Sequence, residues 1–432
     1  MRSNYSVCVI GLWHLGCVTT ACLASLGIKI TAFDDDLDII KNLKKSIPPI
    51  EEPRLAKFIE NGLLRKKIHF TNNLEDLANN DFYWITYDTP VNDDDKGDID
   101  FVLKKIFNIN DQLKENSTLL ISSQLPIGSS EIIKKEFKTR FKKNIFVYYI
   151  PENLRLGKSL EIFLRPDRIV IGHDLNSNIT EVKNLINLIT KDQIWMSNKS
   201  AEMSKHSINS FLANSVVFAN EIASICDSVG ANPDDVTAAL KSDIRIGKYA
   251  YLKAGGPFAG GTLARDVIFL NNTSQKNNIK TPLLSSIIES NKYHKEWVIR
   301  NIKNDFGKSE NLEVLILGLS YKKGTDTLRR SHSLEIANWL NSKNIIYLYD
   351  PQTKVIDNNL PKNTILIKEL SNVTKKIHII ITTKFWSDQL DDINHLIKNN
   401  ENRIIIYDID RKYVGKKNKF KNLNCEYKAI GI

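Results

Sequence analysis

Two residue patterns in this 432-residue chain are equipped for chemistry. In Ala201-Glu202-Met203-Ser204-Lys205-His206-Ser207-Ile208-Asn209, Lys205 and Asn209 lie one helical turn apart and so share a face. A lysine desolvated in a pocket shifts toward neutral pH and can move a proton. An asparagine beside it can donate to an oxygen on which negative charge develops. Either residue alone reads as ordinary helix surface, and His206 between them reads as structural. The second pattern is Gly11-Leu12-Trp13-His14-Leu15-Gly16, which follows an apolar run and enters a helix. In a G-x-G-x-x-G dinucleotide turn the first glycine makes the bend, the second admits the pyrophosphate and the third packs helix on strand. Gly11 and Gly16 take the first and third places, and Trp13 stands in the second. Asp34 closes Thr31-Ala32-Phe33-Asp34 about 20 residues on, where an acid bonds the adenosine ribose and selects NAD over NADP. An acid after a strand is also a common turn residue, as Asp34-Asp35-Asp36 allows.

These residues need elements to hold them. Apolar runs at Tyr5–Ile10, Ile28–Phe33, Asp81–Tyr87, Thr118–Ser123, Phe146–Ile150 and Arg168–Ile171 alternate with helical patterns, which predicts βαβ units on a parallel sheet covered on both faces. Ser200–Val229 reads as one long helix ending at Gly230, a glycine-rich stretch spans Gly247–Gly261, and a second long helix is expected over Pro282–Asn304. A further βαβ pattern opens at Leu312–Leu317 and continues through a helix at Ser333–Leu340 and a strand at Ile345–Tyr349. Later strands are expected at Lys376–Thr382 and Arg403–Tyr407. The fold class is α/β: two Rossmann-like doubly wound domains, 1–196 and 305–432, joined by a central helical region, 197–304.

Composition narrows the function. No apolar run is long enough to span a bilayer and the N-terminus lacks the layout of a signal peptide, so the expected location is the cytoplasm, away from membranes. Cys8, Cys17, Cys22, Cys226 and Cys425 are scattered, with no CxxC and no metal-ligand spacing. They read as small apolar packing residues, and no metal is expected. The net charge of +10 comes from lysine spread along the chain, with no dense basic arm or stacking motif, which argues against nucleic acid. A positive field also suits a diphosphate-bearing substrate.

The run Phe258-Ala259-Gly260-Gly261-Thr262-Leu263-Ala264-Arg265-Asp266 resembles the Gly-Gly, nucleophilic Cys and Lys-Asp segment of the UDP-glucose/GDP-mannose dehydrogenase family. Asp88-Thr89-Pro90, Pro151-Glu152-Asn153-Leu154-Arg155-Leu156-Gly157, Leu319–Arg329 and Tyr407–Arg411 resemble other family segments, so the likeness covers nearly the whole chain. The resemblance implies NAD as cofactor, a nucleotide-sugar substrate and a homodimer built on the central helix. It assigns Thr89 and Arg329 to the cofactor along with Gly11, Trp13, Leu15, Gly16 and Asp34. Tyr321, Lys322, Arg411, Asn153, Leu154, Tyr249 and Gly261 fall to the substrate, with Arg245 reaching from one protomer into the other. Lys205 and Asn209 would cradle the reacting oxygen, Glu152 would act as the catalytic glutamate, and Asp266 would organise a water.

Two positions depart from the pattern. Thr262 occupies the cysteine position, and Gln124, in Ser122–Ser129, replaces a threonine that helps place the hydrolytic water. A hydroxyl without a dedicated base is a poor nucleophile. The expected reaction is therefore NAD-dependent oxidation of a nucleotide sugar, UDP-glucose 6-dehydrogenase-like, that stops at an aldehyde or ketone. The alternatives are full oxidation to a uronic acid through the aldehyde hydrate, a non-catalytic sugar-nucleotide-binding relative, and a dehydrogenase of a non-nucleotide hydroxy acid.

Overall fold

Alternation along the first strand shows how the larger sheet is built. In β1 (Ser6–Ile10), Val7 and Val9 enter one apolar cluster while Cys8 and Ile10 enter another, and all four are fully buried. Side chains of a strand point alternately to its two faces, so a sheet covered on both sides needs such uninterrupted apolar runs. The computed structural model describes every residue except 1–4, 91, 93–96, 175–176, 260, 309, 321–327, 329–330, 342, 352–359, 362 and 385–389. The chain forms two compact units, Met1–Ile208 and Asn209–Ile432.

The first unit holds an eight-stranded sheet in the order β3-β2-β1-β4-β5-β6-β7-β8. Its strands are β1, β2 (Lys29–Phe33), β3 (Ile68–Thr71), β4 (Phe82–Ile85), β5 (Thr118–Ile121), β6 (Phe146–Tyr149), β7 (Ile169–His173) and β8 (Gln193–Ser197). Neighbours run parallel except β6 and β7. Strand order reverses between β1 and β4, the switch point at which open α/β sheets bind ligands. The second unit repeats that plan in a parallel sheet ordered β11-β10-β9-β12-β13-β14. These are β9 (Glu313–Leu317), β10 (Ile345–Tyr349), β11 (Thr364–Leu366), β12 (Ile379–Thr382), β13 (Ile404–Asp408) and β14 (Cys425–Ala429). The α/β class with two parallel-sheet domains is as expected.

The central helix runs Asn198–Val229. Beyond Asn209 it packs Ala213 and Val217 against Phe258, Ala264, Val267 and Ile287. The single helix expected over Pro282–Asn304 is two, Pro282–Lys295 and Trp297–Phe306. The pieces serve different cores: Ile287 joins the central-helix cluster, whereas Val298 and Ile302 pack into the six-stranded sheet. Four strands, β3, β8, β11 and β14, were not expected from sequence. All are short or bear polar residues at alternate positions, and each lies toward the edge of its sheet. No helix among the described residues is long and apolar enough to cross a membrane.

Candidate active site

The dinucleotide turn is fixed by two close approaches. Gly11 has φ +96°, and a Cβ there would meet the Tyr87 ring and amide at 2.6 to 2.9 Å. A Cβ on Gly16 would lie 1.9 Å from the Gly11 carbonyl oxygen and 2.8 Å from Thr86 Oγ1. Trp13 is tolerated at the middle position because its backbone is unstrained (φ −86°) and its side chain is 41% exposed. The helix His14–Ser25 starts directly after it, and its first N–H groups lack carbonyl partners within the helix, as an anion site requires. Asp34 ends β2 in a buried position, accepting the Leu12 amide at 2.7 Å and the Asp36 amide at 3.0 Å. Burial pushes its pKa up, against the pull of those two bonds. These residues fit a dinucleotide: a tight turn, a helix N-terminus, and an acid whose remaining lone pairs can take a ribose hydroxyl. Thr89 is buried, and its hydroxyl donates to the Gln124 carbonyl, tying the two loops beyond β4 and β5 together.

Further along the first unit, the loop after β6 carries Glu152, whose carboxylate accepts the Leu154 amide at 2.8 Å; Asn153 is exposed. Lys205, buried on the central helix, donates its ammonium to the Glu152 carbonyl. Two neighbours on that helix hold it against the loop after β5 and the start of the helix Ser129–Thr139. His206 bonds the Leu125 carbonyl through Nε2 at 3.0 Å. Glu202 accepts both amides and the hydroxyl offered by Gly128 and Ser130. Burial pushes the Glu202 pKa up although those bonds oppose it. A cavity of about 70 Å³ is walled by Glu152, Asn153 and Leu154 together with Leu15, Trp84 and Arg168.

In the second unit, Asn209 donates its side-chain amide to Asp266, and both are buried. Asp266 sits in the first turns of the helix Thr262–Lys276, which Gly261 precedes at φ +91°. Thr262 is the exposed first residue of that helix, and its hydroxyl makes no hydrogen bond with a described residue. No thiol compensates: burial drives Cys8, Cys17, Cys22 and Cys425 upward in pKa, and Cys226 is buried. Among the described residues no cluster of three ligating side chains could hold a metal.

The substrate residues expected from sequence are placed unevenly. Arg245 and Tyr249 stand exposed on the segment after the helix Pro233–Ser242, with Arg245 paired to Asp243. Arg411 is buried at φ +55°, donating to Asp234 at 2.7 Å and to the Ile430 carbonyl. Tyr321, Lys322 and Arg329 lie outside the described residues. Sequence reasoning passed over Asp350, which closes β10 as Asp34 closes β2. It accepts the amides of Leu319 and Ser320 after Gly318, whose φ of +94° matches that of Gly11. The signal was present as a Tyr-Asp at the end of a strand and a glycine at the end of the strand before it. Glu52 was also missed.

A mostly parallel sheet with this switch point, this turn and a buried acid defines a dinucleotide-binding protein of the doubly wound α/β class. Residues 5–190 match the NAD-binding domain of the UDP-glucose/GDP-mannose dehydrogenase family, 199–293 its central domain and 315–413 its UDP-binding domain. The chain belongs to that family, the NAD-dependent nucleotide-sugar dehydrogenases, and is an oxidoreductase acting on CH–OH groups with NAD as cofactor. It is 31% identical over 396 residues to UDP-glucose 6-dehydrogenase of Rickettsia typhi, covering 89% of this chain and 90% of that protein. It is 30% identical over 443 residues to the enzyme of the same name from Rickettsia prowazekii, covering 99% of each. A solved UDP-glucose dehydrogenase from Pyrobaculum islandicum superposes with a TM-score of 0.87 at 23% identity, covering 99% of this chain and 98% of that one. A UDP-D-ManNAc dehydrogenase from Pyrococcus horikoshii gives 0.82 at 19%, covering 99% of each.

Proposed function

We propose that this protein oxidises a UDP-hexose, with UDP-glucose at its primary alcohol the first candidate, and stops after one hydride transfer. The reading is carried by what survives while the residue at the nucleophile position has changed: buried Lys205, bonded to the Glu152 carbonyl, and the buried, mutually bonded Asn209 and Asp266, against an exposed Thr262. NAD, when bound, supplies the hydride acceptor. Lys205, with its ammonium anchored at Glu152, and Asn209, oriented by Asp266, hold the hydroxyl oxygen and stabilise the charge that develops on it. The carbinol C–H electron pair leaves as hydride, and the hydroxyl proton passes to water organised by Asp266. The products are aldehyde, NADH and a proton. A second oxidation through a covalent thioester needs a thiolate, which Thr262 does not provide.

The UDP-hexose assignment leans on relatives named UDP-glucose 6-dehydrogenase. Binding would draw on Glu152, Asn153, Leu154, Tyr249, Gly261, Tyr321, Lys322 and Arg411, with Arg329 and Thr89 on the cofactor side. Residues 1–196, 197–304 and 305–432 would act as cofactor, central and nucleotide-sugar domains in the cytoplasm. We also propose a homodimer through the central helix. Phe211, Phe218 and Ile225, spaced at seven residues, are 70%, 42% and 58% exposed, and such an apolar stripe asks for a partner. Arg245 would then serve the other protomer. Incubating the protein with NAD and, separately, UDP-glucose, UDP-N-acetylmannosamine and GDP-mannose tests the substrate. The expected result is NADH with UDP-glucose above the others, and NADH from none would overturn the reading.

A further inference from the structure

Glu52 lies in the segment Ile50-Glu51-Glu52-Pro53, outside every motif named so far, yet its carboxylate accepts four hydrogen bonds beside the dinucleotide turn. Its side chain is 1% exposed. Oε2 accepts from His14 Nε2 at 3.0 Å, from the Gly157 amide at 2.9 Å and from Ser159 Oγ at 3.2 Å; Oε1 accepts from the Ser159 amide at 3.0 Å. Burial by itself would raise its pKa, but the bonds from Gly157, His14 and Ser159 outweigh it and hold the group below the ordinary glutamate value. An ionised carboxylate is acceptor-only, so His14 must carry its hydrogen on Nε2.

The three bonded residues lie on two segments, the dinucleotide helix and the loop that carries Glu152. His14 is the first residue of the dinucleotide helix, two residues before Gly16. Gly157 and Ser159 end the loop that begins with Pro151 and Glu152, and Gly157 has φ +88°, which aims its N–H at Glu52. Glu52 is itself stiff, because Pro53 follows it and its carbonyl accepts the Leu55 amide at 3.1 Å. The loop is thus fastened by Lys205 at the Glu152 carbonyl and by Glu52 at its far end.

We propose that Glu52 is a positioning residue that couples the dinucleotide turn to the Glu152 loop, so that seating the cofactor on the first turn of the His14–Ser25 helix orders Gly157–Ser159. The carboxylate touches neither reactant; it carries a constraint between two segments through His14. A purely structural ion pair would stabilise the fold without making the loop respond to cofactor.

Amide hydrogen exchange distinguishes the two. Wild type, Glu52→Gln, His14→Phe and His14→Gln are compared with and without saturating NADH, reading the peptide that contains Gly157–Ser159. NADH is expected to slow exchange there about threefold or more in wild type. His14→Gln, which keeps an N–H donor, retains the slowing; Glu52→Gln and His14→Phe lose it although they still saturate with NADH. Equal slowing in all four proteins, or a wild-type peptide indifferent to NADH, would overturn the proposal. If Glu52→Gln does not fold, the two His14 variants, one with an N–H donor and one without, still decide the matter.

Discussion

At the residue scale the site divides into groups that are locked and one that is loose. Asn209 is committed to Asp266 inside the core of its unit, so Asp266→Ala leaves a buried amide without that acceptor. A stability loss of about 2 kcal/mol is expected in denaturant melts, with kcat reduced about a hundredfold or more if the pair polarises the substrate oxygen. Thr262, by contrast, is exposed and unbonded among the described residues, so Thr262→Cys should fold normally. At a helix start a thiol there gains thiolate character, and NADH per sugar consumed should rise above the wild-type ratio; an unchanged ratio would show that the cysteine position is not what limits the reaction. Glu52 adds a pH signature. Its folded-state pKa lies below the ordinary glutamate value of 4.5, so its contribution to stability is fully present above that value and is lost as pH falls through the lower, folded-state one. The difference in melting temperature between wild type and Glu52→Gln should therefore be constant near neutrality and shrink only in acid.

At the scale of elements, the glycine turn and the central helix set the geometry. Gly16→Ala puts a methyl 1.9 Å from the Gly11 carbonyl, a backbone atom with nowhere to go. The expected cost is about 3 kcal/mol, with NADH binding lost in fluorescence titration. The turn, β1, β2 and the long helix were legible because each rests on local pattern: glycine spacing, uninterrupted apolar runs and helical periodicity. Edge strands such as β14, Cys425–Ala429, carry alternating polar residues and are strands because β13 pairs with them, a partner that periodicity does not reveal. The split of the Pro282–Asn304 helix followed from two separate cores, again a tertiary fact. Of the site, Lys205 and Asn209 could be read from spacing, whereas Glu52 could not. Its partners are 38, 105 and 107 residues away, and no short motif links them.

For the whole molecule, the first six strands of the larger sheet repeat the order of the smaller one, and a glycine turn with a buried aspartate recurs in each, Asp34 with Gly11 and Asp350 with Gly318. The first carries the NAD-binding domain and the second the UDP-binding domain of the family, which is why a dinucleotide and a nucleotide sugar fit one chain. The exposed heptad stripe of the central helix makes a separate prediction at this scale: Phe218→Glu together with Ile225→Glu should convert a dimer to monomer in sedimentation velocity, and a wild-type monomer would refute the proposed dimer. The central claim is that hydride transfer has been kept while thiol chemistry has gone. It is tested most directly by giving the purified protein limiting UDP-glucose with excess NAD and counting NADH formed for each sugar consumed. One NADH per sugar, with an aldehyde that a carbonyl reagent traps, is the predicted result; two NADH and a uronic acid would contradict it.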